Sequence, residues 1–206
     1  MADLNEWEPK TKLGRMVKNG EIVSIDDIFK QSLPISEIEI IDTLLPNLED
    51  EVININLVQR QTDAGEKSRF TSCAAVGNRA GYVGVGEAKV QEIGPAIRKS
   101  IANAKMNISP VRRGCGSWQC SCNDPHSIPF KVRGKTGNCE VIALSAPKGL
   151  GLAAGNVGKI IFELAGIRDI WTKTFGETRT TPNYAKATFE ALKRTYTFMT
   201  PGDWGK

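Results

Sequence analysis

The sequence predicts an α+β protein in which two small domains follow an acidic leader. Two observations carry this prediction. The spacing of apolar residues changes from three or four to two near Glu51, and from there on strands are twice followed by a helix. A chain of 206 residues is long enough to form two such cores. The predicted segments are a leader with short helices, a β-β-β-α unit, a basic and cysteine-rich junction and a second α+β unit, over residues 1–50, 51–111, 112–126 and 127–206.

The leader is predicted to form two short helices. Thr11 is a suitable N-cap for the first helix, which ends at Gly20. Ser24 and Asp27 resemble a capping box at the start of the second helix. Pro46 then interrupts the helical pattern before the first strand begins.

The β-β-β-α unit is predicted from a period of two followed by a period of three to four. Ile53, Ile55 and Leu57 share one face of the first strand. The strands are expected over residues 51–60, 70–78 and 81–87, with a polar turn at 60–69. The helix that follows has an apolar stripe of Val90, Ile93, Ile97, Ile101 and Ala104. Double-stranded RNA binders have this arrangement, and they recognise A-form shape and phosphates rather than bases.

The second unit is predicted to combine three strands with two helices. A strand at residues 128–132 alternates in polarity, and a strand at 139–146 is apolar on both faces, which indicates an interior position. A glycine-rich turn follows. The remaining elements are a helix ending at Gly166, a short strand from Asp169, and a helix from Thr181 to about Tyr196. On that last helix Tyr184, Thr188, Ala191 and Leu192 are expected to face inward.

Charge divides the chain into an acidic and a basic part. Residues 1–50 carry a net charge of −6, whereas residues 51–114 and 115–206 carry +5 each. The basic body suggests a polyanion partner. The alternative is a basic surface that is merely solvated.

Several features favour a cytoplasmic protein without membrane contact. No apolar run approaches the about 18 residues that span a bilayer. The first ten residues lack the layout of a secretory signal. Five cysteines, an odd number, fit a reducing compartment better than a disulfide framework.

The glycine-rich stretch at residues 75–89 does not match a nucleotide-binding motif. A P-loop requires a lysine followed by a hydroxyl residue, but Lys89 precedes Val90. A dinucleotide fingerprint requires a parallel βαβ unit, and the neighbouring strands here are joined by tight turns. Gly84 and Gly86 are expected to keep one face of the third strand flat, so that a backbone or another polymer can lie against it. The alternative is that they serve bulges and helix packing.

Three cysteines and the sole histidine lie close together in the junction, with the spacing C-x₄-C-x-C-x₃-H. This Cys₃His set predicts a structural zinc site. Its members are Cys115, Cys120, Cys122 and His126. The alternative is a group of ordinary reduced thiols beside a histidine that contacts RNA. A zinc deaminase motif is absent, and nothing in the sequence marks an oxyanion hole or an orienting acid for a Cys/His nucleophile.

Other residues of chemical interest admit two interpretations each. Cys73 and Cys139 lie in apolar strands and are expected in the core. Trp118 and Trp171 are expected to pack, although they are also suited to stacking on bases. The junction contains a pair of adjacent arginines that we expect to contact phosphate, with a solvated linker as the alternative. The glycine-rich turn after residue 147 either brings a lysine and backbone amides to phosphate or simply requires positive φ.

Several motifs, in order, resemble the ribosomal protein S5 family of the small subunit in its archaeal form. The resemblance runs from about Trp7 to Pro201. It rests on "WEPKTKLGRMVKNGEI", "VGNRAGYVGVGEAK", "RRGCGSW", "PHSIPFKVRGK", "SAPKGLGLAAG", "LAGIRDIWTKTFG" and "TPNYAKATFEALK". It implies an N-terminal domain like double-stranded-RNA-binding domains and a C-terminal α/β sandwich with a left-handed β-α-β crossover.

The resemblance also implies a function. It implies a non-enzymatic structural constituent of the small ribosomal subunit that supports translational accuracy near the messenger entry path. The implied partners are ribosomal RNA and ribosomal proteins S4 and S8, with neither DNA nor membrane. The positions implied near RNA are Arg60, Lys67, Arg69, Asn78, Arg79, Lys89, Arg98, Arg112, Arg113 and Lys148. Alternatives are a general double-stranded-RNA-binding module outside the ribosome and a nucleotide-using enzyme.

Overall fold

A computed structural model describes residues 7–122 and 124–198 of the chain. Residues 1–6 of the predicted leader and 199–206 of the predicted second domain, including Pro201, lie outside the described residues. Within these ranges the chain forms two four-stranded sheets, each covered by helices. No helix in the two ranges is long and apolar enough to cross a membrane.

Residues 7–50 of the leader contain three short helices, one more than predicted. They are α1 (Lys12–Lys18), α2 (Ile25–Lys30) and α3 (Ile38–Leu44). The predicted caps are confirmed: Thr11 accepts a hydrogen bond from the backbone of Gly14 at 3.0 Å, and Ser24 accepts one from that of Asp26 at 3.2 Å. The third helix has no side-chain cap, which left the sequence without a start signal for it.

The first sheet is antiparallel throughout, with the order β1-β2-β3-β4. Its strands are β1 (Glu49–Thr62), β2 (Gly65–Gly77), β3 (Tyr82–Val90) and β4 (Ser109–Pro110), and helix α4 (Ile93–Met106) packs on one face. The predicted β-β-β-α order is therefore confirmed. The buried stripe of α4 consists of Ala96, Ser100 and Ala104, whereas Ile93 of the predicted stripe is exposed.

The leader is fastened to this first sheet. The Tyr82 hydroxyl donates to Asp26 at 2.6 Å, and Lys105 of α4 forms an ion pair with Asp42 at 2.5 Å. Burial and the bond to Asp26 raise the pKa of Tyr82. Ile41 and Ile108 share an apolar cluster that spans the leader and the sheet. The acidic leader is thus folded onto the basic body.

The glycines of β3 serve close helix packing. A Cβ built on Gly84 would overlap the backbone of Ala104, and one built on Gly86 would overlap the backbone of Ser100 and Ala104. The prediction that a backbone can lie against this face is confirmed, but the backbone is that of α4, so the face is not open to another polymer. The alternative of helix packing holds, and small residues on both sides explain the short distance.

The predicted polar turn at residues 60–69 is wrong: these residues continue the two strands. Arg60 pairs with Lys67, and Thr62 pairs with Gly65, which leaves only Asp63 and Ala64 as the turn. Gly65 has φ +113°, a conformation that favours glycine. We call residues 57–69, the far ends of β1 and β2 with their turn, the ribbon.

The second sheet is mixed, with the order β5-β6-β8-β7. Its strands are β5 (Val132–Thr136), β6 (Cys139–Ser145), β7 (Leu152–Ala153) and β8 (Ile170–Phe175), and its helices are α5 (Asn156–Leu164) and α6 (Thr181–Lys193), followed by a 3₁₀ turn (Arg194–Tyr196). Strand β6 is interior, as predicted, and β7 runs parallel to β8.

Two predictions for this second unit differ in outcome. The strand predicted at 128–132 starts only at Val132, because Pro129 cannot donate to a ladder and Ile128 is buried outside the sheet. The last helix is confirmed, with proline in its first turn and all four predicted inward residues buried. The handedness of the β7-α5-β8 crossover stays a prediction.

The two sheets share one apolar core. Cys73, Val83 and Val85 from the first sheet and Phe162 from α5 belong to a single buried cluster. At the boundary, the backbone N–H of Arg79 donates to the carbonyl of Leu164 at 2.9 Å. The chain therefore forms two separate sheets but only one shared apolar core.

Candidate nucleic-acid interface and metal centre

The ribbon and the adjoining end of β3 carry four cations on one face. Arg60 lies directly opposite Lys67, Arg69 is two residues along β2, and Lys89 pairs with Thr71, two residues further. Side chains alternate between faces of a strand, so all four cations lie on the same side. All are exposed, and none has an ion-pair partner among residues 7–122 and 124–198.

The opposite face of the ribbon is polar and internally hydrogen-bonded. The Gln59 amide donates to Glu66 and to Ser68, each at 3.2 Å. The only acid of this paired segment therefore faces away from the cations. The ribbon presents one face with cations and an opposite face that carries Glu66 and no cation.

The turn between β2 and β3 holds two of the predicted RNA-binding residues in structural contacts. The Asn78 side-chain oxygen accepts hydrogen bonds from the backbone of Ala80 at 2.9 Å and of Tyr82 at 3.0 Å. Arg79 has φ +52° and pairs with Glu49 at 2.8 Å, with both side chains exposed. Arg98, in contrast, lies exposed on α4.

The two junction arginines contact other parts of the protein. Arg113 donates to the backbone carbonyl of Ala80 at 2.9 Å and to those of Arg79 and Gly166 at 3.4 Å. Arg112 donates to the carbonyl of Phe198 at 3.0 Å and lies 5.2 Å from the centre of the Tyr196 ring. The pair therefore braces the body, and its contact with phosphate stays a prediction.

A cleft of about 1060 Å³ lies where the two sheets meet. Its cationic lining residues are Arg79, Arg113, Lys148, Lys159 and Arg168. Lys148 forms an ion pair with Asp124 at 2.6 Å, which raises the pKa of the lysine and lowers that of the acid. Lys159 and Arg168 were not predicted from the sequence, because only the fold brings them beside the glycine-rich turn.

The four predicted metal ligands converge. The sulfurs of Cys115, Cys120 and Cys122 and a ring nitrogen of His126 all lie within 4.8 Å of one another. Cys120 Sγ lies 3.0 Å from Cys122 Sγ and 3.9 Å from His126 Nε2. The bond from the Cys122 thiol lowers the pKa of Cys120 to about 6, and the same bond raises that of Cys122 to about 11.

A buried acid orients the histidine. His126 Nδ1 lies 2.9 Å from Asp169 Oδ2, and the two side chains are only 4% and 6% exposed. The other oxygen of Asp169 accepts from the backbone of Gly149 at 3.0 Å and of Gly151 at 2.8 Å. This orienting acid was not predictable from the sequence, because Asp169 is 43 residues away from His126 along the chain.

The remaining cysteines and tryptophans can now be placed. Cys73 and Cys139 are buried, as predicted, and burial raises the pKa of Cys73 to about 11. The prediction that Trp118 packs is wrong, because it is 90% exposed at the tip of the cysteine-rich loop. Trp171 is 37% exposed on the outer face of the second sheet.

The fold and its cationic surface define a class: an RNA-binding protein built from two α+β units. Two family models match the chain. "Ribosomal protein S5, N-terminal domain" covers residues 48–112, and "Ribosomal protein S5, C-terminal domain" covers residues 134–201. The chain belongs to the ribosomal protein S5 family.

Curated archaeal relatives agree with this assignment. The chain is 56% identical over 205 residues to small ribosomal subunit protein uS5 of Aeropyrum pernix, covering 100% of this chain and 94% of the relative. It is 59% identical over 198 residues to that of Pyrobaculum calidifontis, with coverages of 96% and 98%. For Methanocaldococcus jannaschii the identity is 60% over 191 residues, with coverages of 93% and 88%. The predicted family and the α+β fold class are confirmed, as is the prediction of a non-enzymatic ribosomal protein of the cytoplasm.

Proposed function

We propose that this S5 family member is a structural constituent of the small ribosomal subunit that binds ribosomal RNA chiefly through the cationic face of its ribbon. Its relatives are named small ribosomal subunit proteins. The observation that carries the role of the ribbon is the set of four exposed cations, Arg60, Lys67, Arg69 and Lys89, on one face. Its mechanism is placement: the cations bind phosphates of folded RNA and release counterions.

Electrostatic repulsion within the ribbon supports a polyanion partner. Like charges directly opposite each other on neighbouring strands, as at Arg60 and Lys67, are destabilising by up to about 1 kcal/mol. Bound phosphates reverse this effect because they lie near both cations. A surface that stays in water gains nothing from such an arrangement.

The cleft between the sheets is proposed as a second phosphate-binding surface. Arg79, Arg113 and Lys148, which the sequence analysis singled out, line it with two further cations. Positive side chains in a concave site concentrate the field that attracts an anion. Asn78 and Arg112 adjoin this region through the β2–β3 turn and the junction. Arg98, exposed on α4 at the other face of the first sheet, is proposed as a separate phosphate contact.

The decisive experiment compares two triple variants with equal loss of charge. The test variant replaces Arg60, Lys67 and Arg69 by Gln. The control replaces the exposed residues Lys12, Lys131 and Lys193 by Gln. Binding to a small-subunit RNA transcript is measured at several salt concentrations. The test variant should bind at least about tenfold more weakly, with a salt slope lower by about 2 to 3, whereas the control stays close to wild type.

The outcome separates the proposal from its rival. Equal losses in both variants would mean that total charge matters and the ribbon does not. A general double-stranded-RNA-binding module would bind an unrelated RNA duplex as tightly as the ribosomal transcript. A ribosomal protein should instead prefer the ribosomal transcript when the transcript and the duplex compete for it. The test variant should also lower the yield of mature small subunits.

The neighbouring proteins are proposed to be S4 and S8, as the family resemblance implies. The outer face of the second sheet supports a protein neighbour, because Trp171 and Phe175 are 37% and 53% exposed there. Lys135 and Lys173 lie on the same face. Amine cross-linking of assembled subunits should join these lysines to S4 or S8. Cross-links to neither protein would contradict this part of the proposal.

We further propose that the protein supports translational accuracy near the messenger entry path. The ribbon extends beyond the shared core, so it can reach RNA that the body does not contact. Subunits that contain the Gln variant of the ribbon should misread near-cognate codons more often in cell-free translation. Unchanged misreading in fully assembled variant subunits would argue against this role.

A further inference from the structure

We propose that Cys115, Cys120, Cys122 and His126 hold one structural zinc ion, which closes residues 114–127 on themselves and, through the His126–Asp169 hydrogen bond, ties them to the residue before β8. We call residues 114–127 the cysteine loop. This inference is independent of the RNA-binding proposal, because it rests on side chains that the ribbon does not contact.

The ligand atoms are close enough to share one ion. They all lie within 4.8 Å of one another. A tetrahedral site with zinc–sulfur bonds of about 2.3 Å places its sulfurs about 3.8 Å apart. Cys120 Sγ and Cys122 Sγ, now 3.0 Å apart, reach that spacing by separating about 0.8 Å. Loop side chains achieve such a shift by small rotations.

The histidine is already oriented as a ligand. A carboxylate only accepts hydrogen bonds, so His126 Nδ1 carries the proton and donates it to Asp169 at 2.9 Å. In the neutral imidazole, the form that binds a metal, the lone pair of Nε2 is then on the side of Cys120 Sγ, 3.9 Å away. Metal-bound histidines almost always donate their second nitrogen in this way, and such partners fix the ring. A histidine buried only for packing would not require three cysteine side chains beside its Nε2.

Besides the Lys148–Asp124 ion pair and the backbone hydrogen bonds from Arg168 and Asp169 to the His126 carbonyl, few contacts hold the described part of the cysteine loop. Gly114 and Ser127 pair at its base, with backbone hydrogen bonds of 2.8 and 3.0 Å. Between these residues the described part of the loop contains no helix or strand. It also buries few side chains, and Trp118 at its tip is 90% exposed. Small segments without an apolar core commonly depend on a metal for their fold.

The donor set selects the metal and its role. Three thiolates and an imidazole are soft ligands that favour zinc over magnesium or calcium, which prefer oxygen. Four protein ligands complete a tetrahedron and leave no position for substrate, so the site is structural. Through Asp169 the ion is linked to the glycine-rich turn at Gly149 and Gly151, and therefore to the wall of the cationic cleft.

The first experiment measures zinc in the purified full-length protein prepared under reducing conditions. Wild type should contain about one zinc ion per chain. Cys120→Ser should lose it, whereas the matched control Cys139→Ala, which removes a buried cysteine outside the loop, should keep it. Wild type with less than about 0.1 zinc per chain after exposure to zinc would overturn the proposal. Full zinc content in Cys120→Ser would also overturn it.

A second measurement covers the case in which Cys120→Ser does not fold. Wild type is loaded with Co²⁺ in place of zinc, and its visible spectrum is recorded. Tetrahedral thiolate ligation gives intense visible bands, and their absence in a folded, cobalt-treated protein would refute the site. A Cys120–Cys122 disulfide found by mass spectrometry in the reduced preparation would refute it as well.

The positioning role of Asp169 has its own test. Asp169→Asn keeps the shape of the side chain but removes its charge. Zinc affinity, measured by competition with a chelator, should fall about 10- to 100-fold. Stripping zinc from wild type should also speed chymotrypsin cleavage after Trp118. An Asp169→Asn variant with unchanged zinc affinity would remove the acid from the model of the site.

Discussion

The two halves of the β1–β2 hairpin differ sharply, although the same two strands form both. Near the body, Cys73, Ala74 and Val76 are buried in a strand that packs between α4 and α5. In the ribbon, Leu57 and Val58 are 54% and 39% exposed. Backbone pairing runs through both halves, with a single bulge at Ile53 in the buried half. Pairing alone therefore sets the shape of the hairpin, and burial decides which half carries stability and which is available for binding.

The largest effect expected from this contrast is at a glycine of the buried half. In Gly86→Ala the new Cβ would overlap the backbone of Ser100 and Ala104, so unfolding free energy should fall by about 3 kcal/mol or more. Gly65→Ala at the ribbon tip meets open space and adds only the strain of φ +113°, about 1 kcal/mol. Denaturant unfolding of both variants measures the difference; equal losses would contradict it.

The next largest effect comes from the same valine-to-alanine substitution made in each half of the hairpin. Val76→Ala removes two methyl groups from a fully buried position and should lower stability by about 2 kcal/mol. Val58→Ala in the ribbon should change stability by less than about 0.5 kcal/mol. Thermal unfolding of the two proteins is sufficient. A ribbon variant as unstable as the core variant would mean that the ribbon is packed in solution.

A smaller effect should separate stability from function. Lys67→Glu places an acid opposite Arg60 and replaces repulsion by attraction, which should stabilise the protein by about 0.5 kcal/mol at low salt. The same change should weaken binding to small-subunit RNA. Melting and filter-binding measurements on one preparation test both signs, and a variant that gains both stability and RNA affinity would contradict our account of the ribbon.

The smallest effect concerns the leader, which rests on the body rather than on the ribbon. Glu37 accepts hydrogen bonds from the Trp7 indole and the backbone of Lys10 and Thr11, at 3.0, 3.0 and 2.6 Å. Burial alone would raise its pKa, but these bonds more than offset burial, so the pKa lies below 4.5. Because this pKa is lowered, ionised Glu37 stabilises the folded leader above pH 4.5. The stabilisation is lost as the pH falls through the pKa of Glu37 in the folded protein.

Hydrogen exchange measures whether the leader loses its folded structure as the pH falls. Between about pH 6 and 3, amide protection of residues 7–18 should decline while that of β2 near the body persists. Glu37→Gln should remove the pH-dependent part. Loss of protection at the same pH in both segments would indicate global unfolding instead.

The sequence predicted some elements well because their signals are local. Helix α6 begins with Thr181 and Pro182 and has a clear stripe, so it was found together with its inward residues. Residues 61–69 of the ribbon were missed because these polar residues resemble a loop, and only their partners across the hairpin make them strands. The glycines of β3 were misread for a similar reason: the helix that covers them comes later in the chain.

The candidate sites divide in the same way. Three cysteines and a histidine within one short segment could be proposed from spacing alone, and they converge. Asp169, Lys159 and Arg168 could not, because they reach the sites only through the second sheet and α5. Arg113 was singled out for its charge, but its contacts with three backbone carbonyls depend on tertiary structure.

The core shared by both sheets has a consequence during synthesis. When the ribosome has made residues up to the junction, Val83 and Val85 still lack Phe162, the large side chain of α5 that shares their cluster. The nascent first half must therefore wait, with apolar surface open to water, until α5 has left the exit tunnel. Such a chain is prone to aggregate while incomplete, so prompt translation or a chaperone protects it.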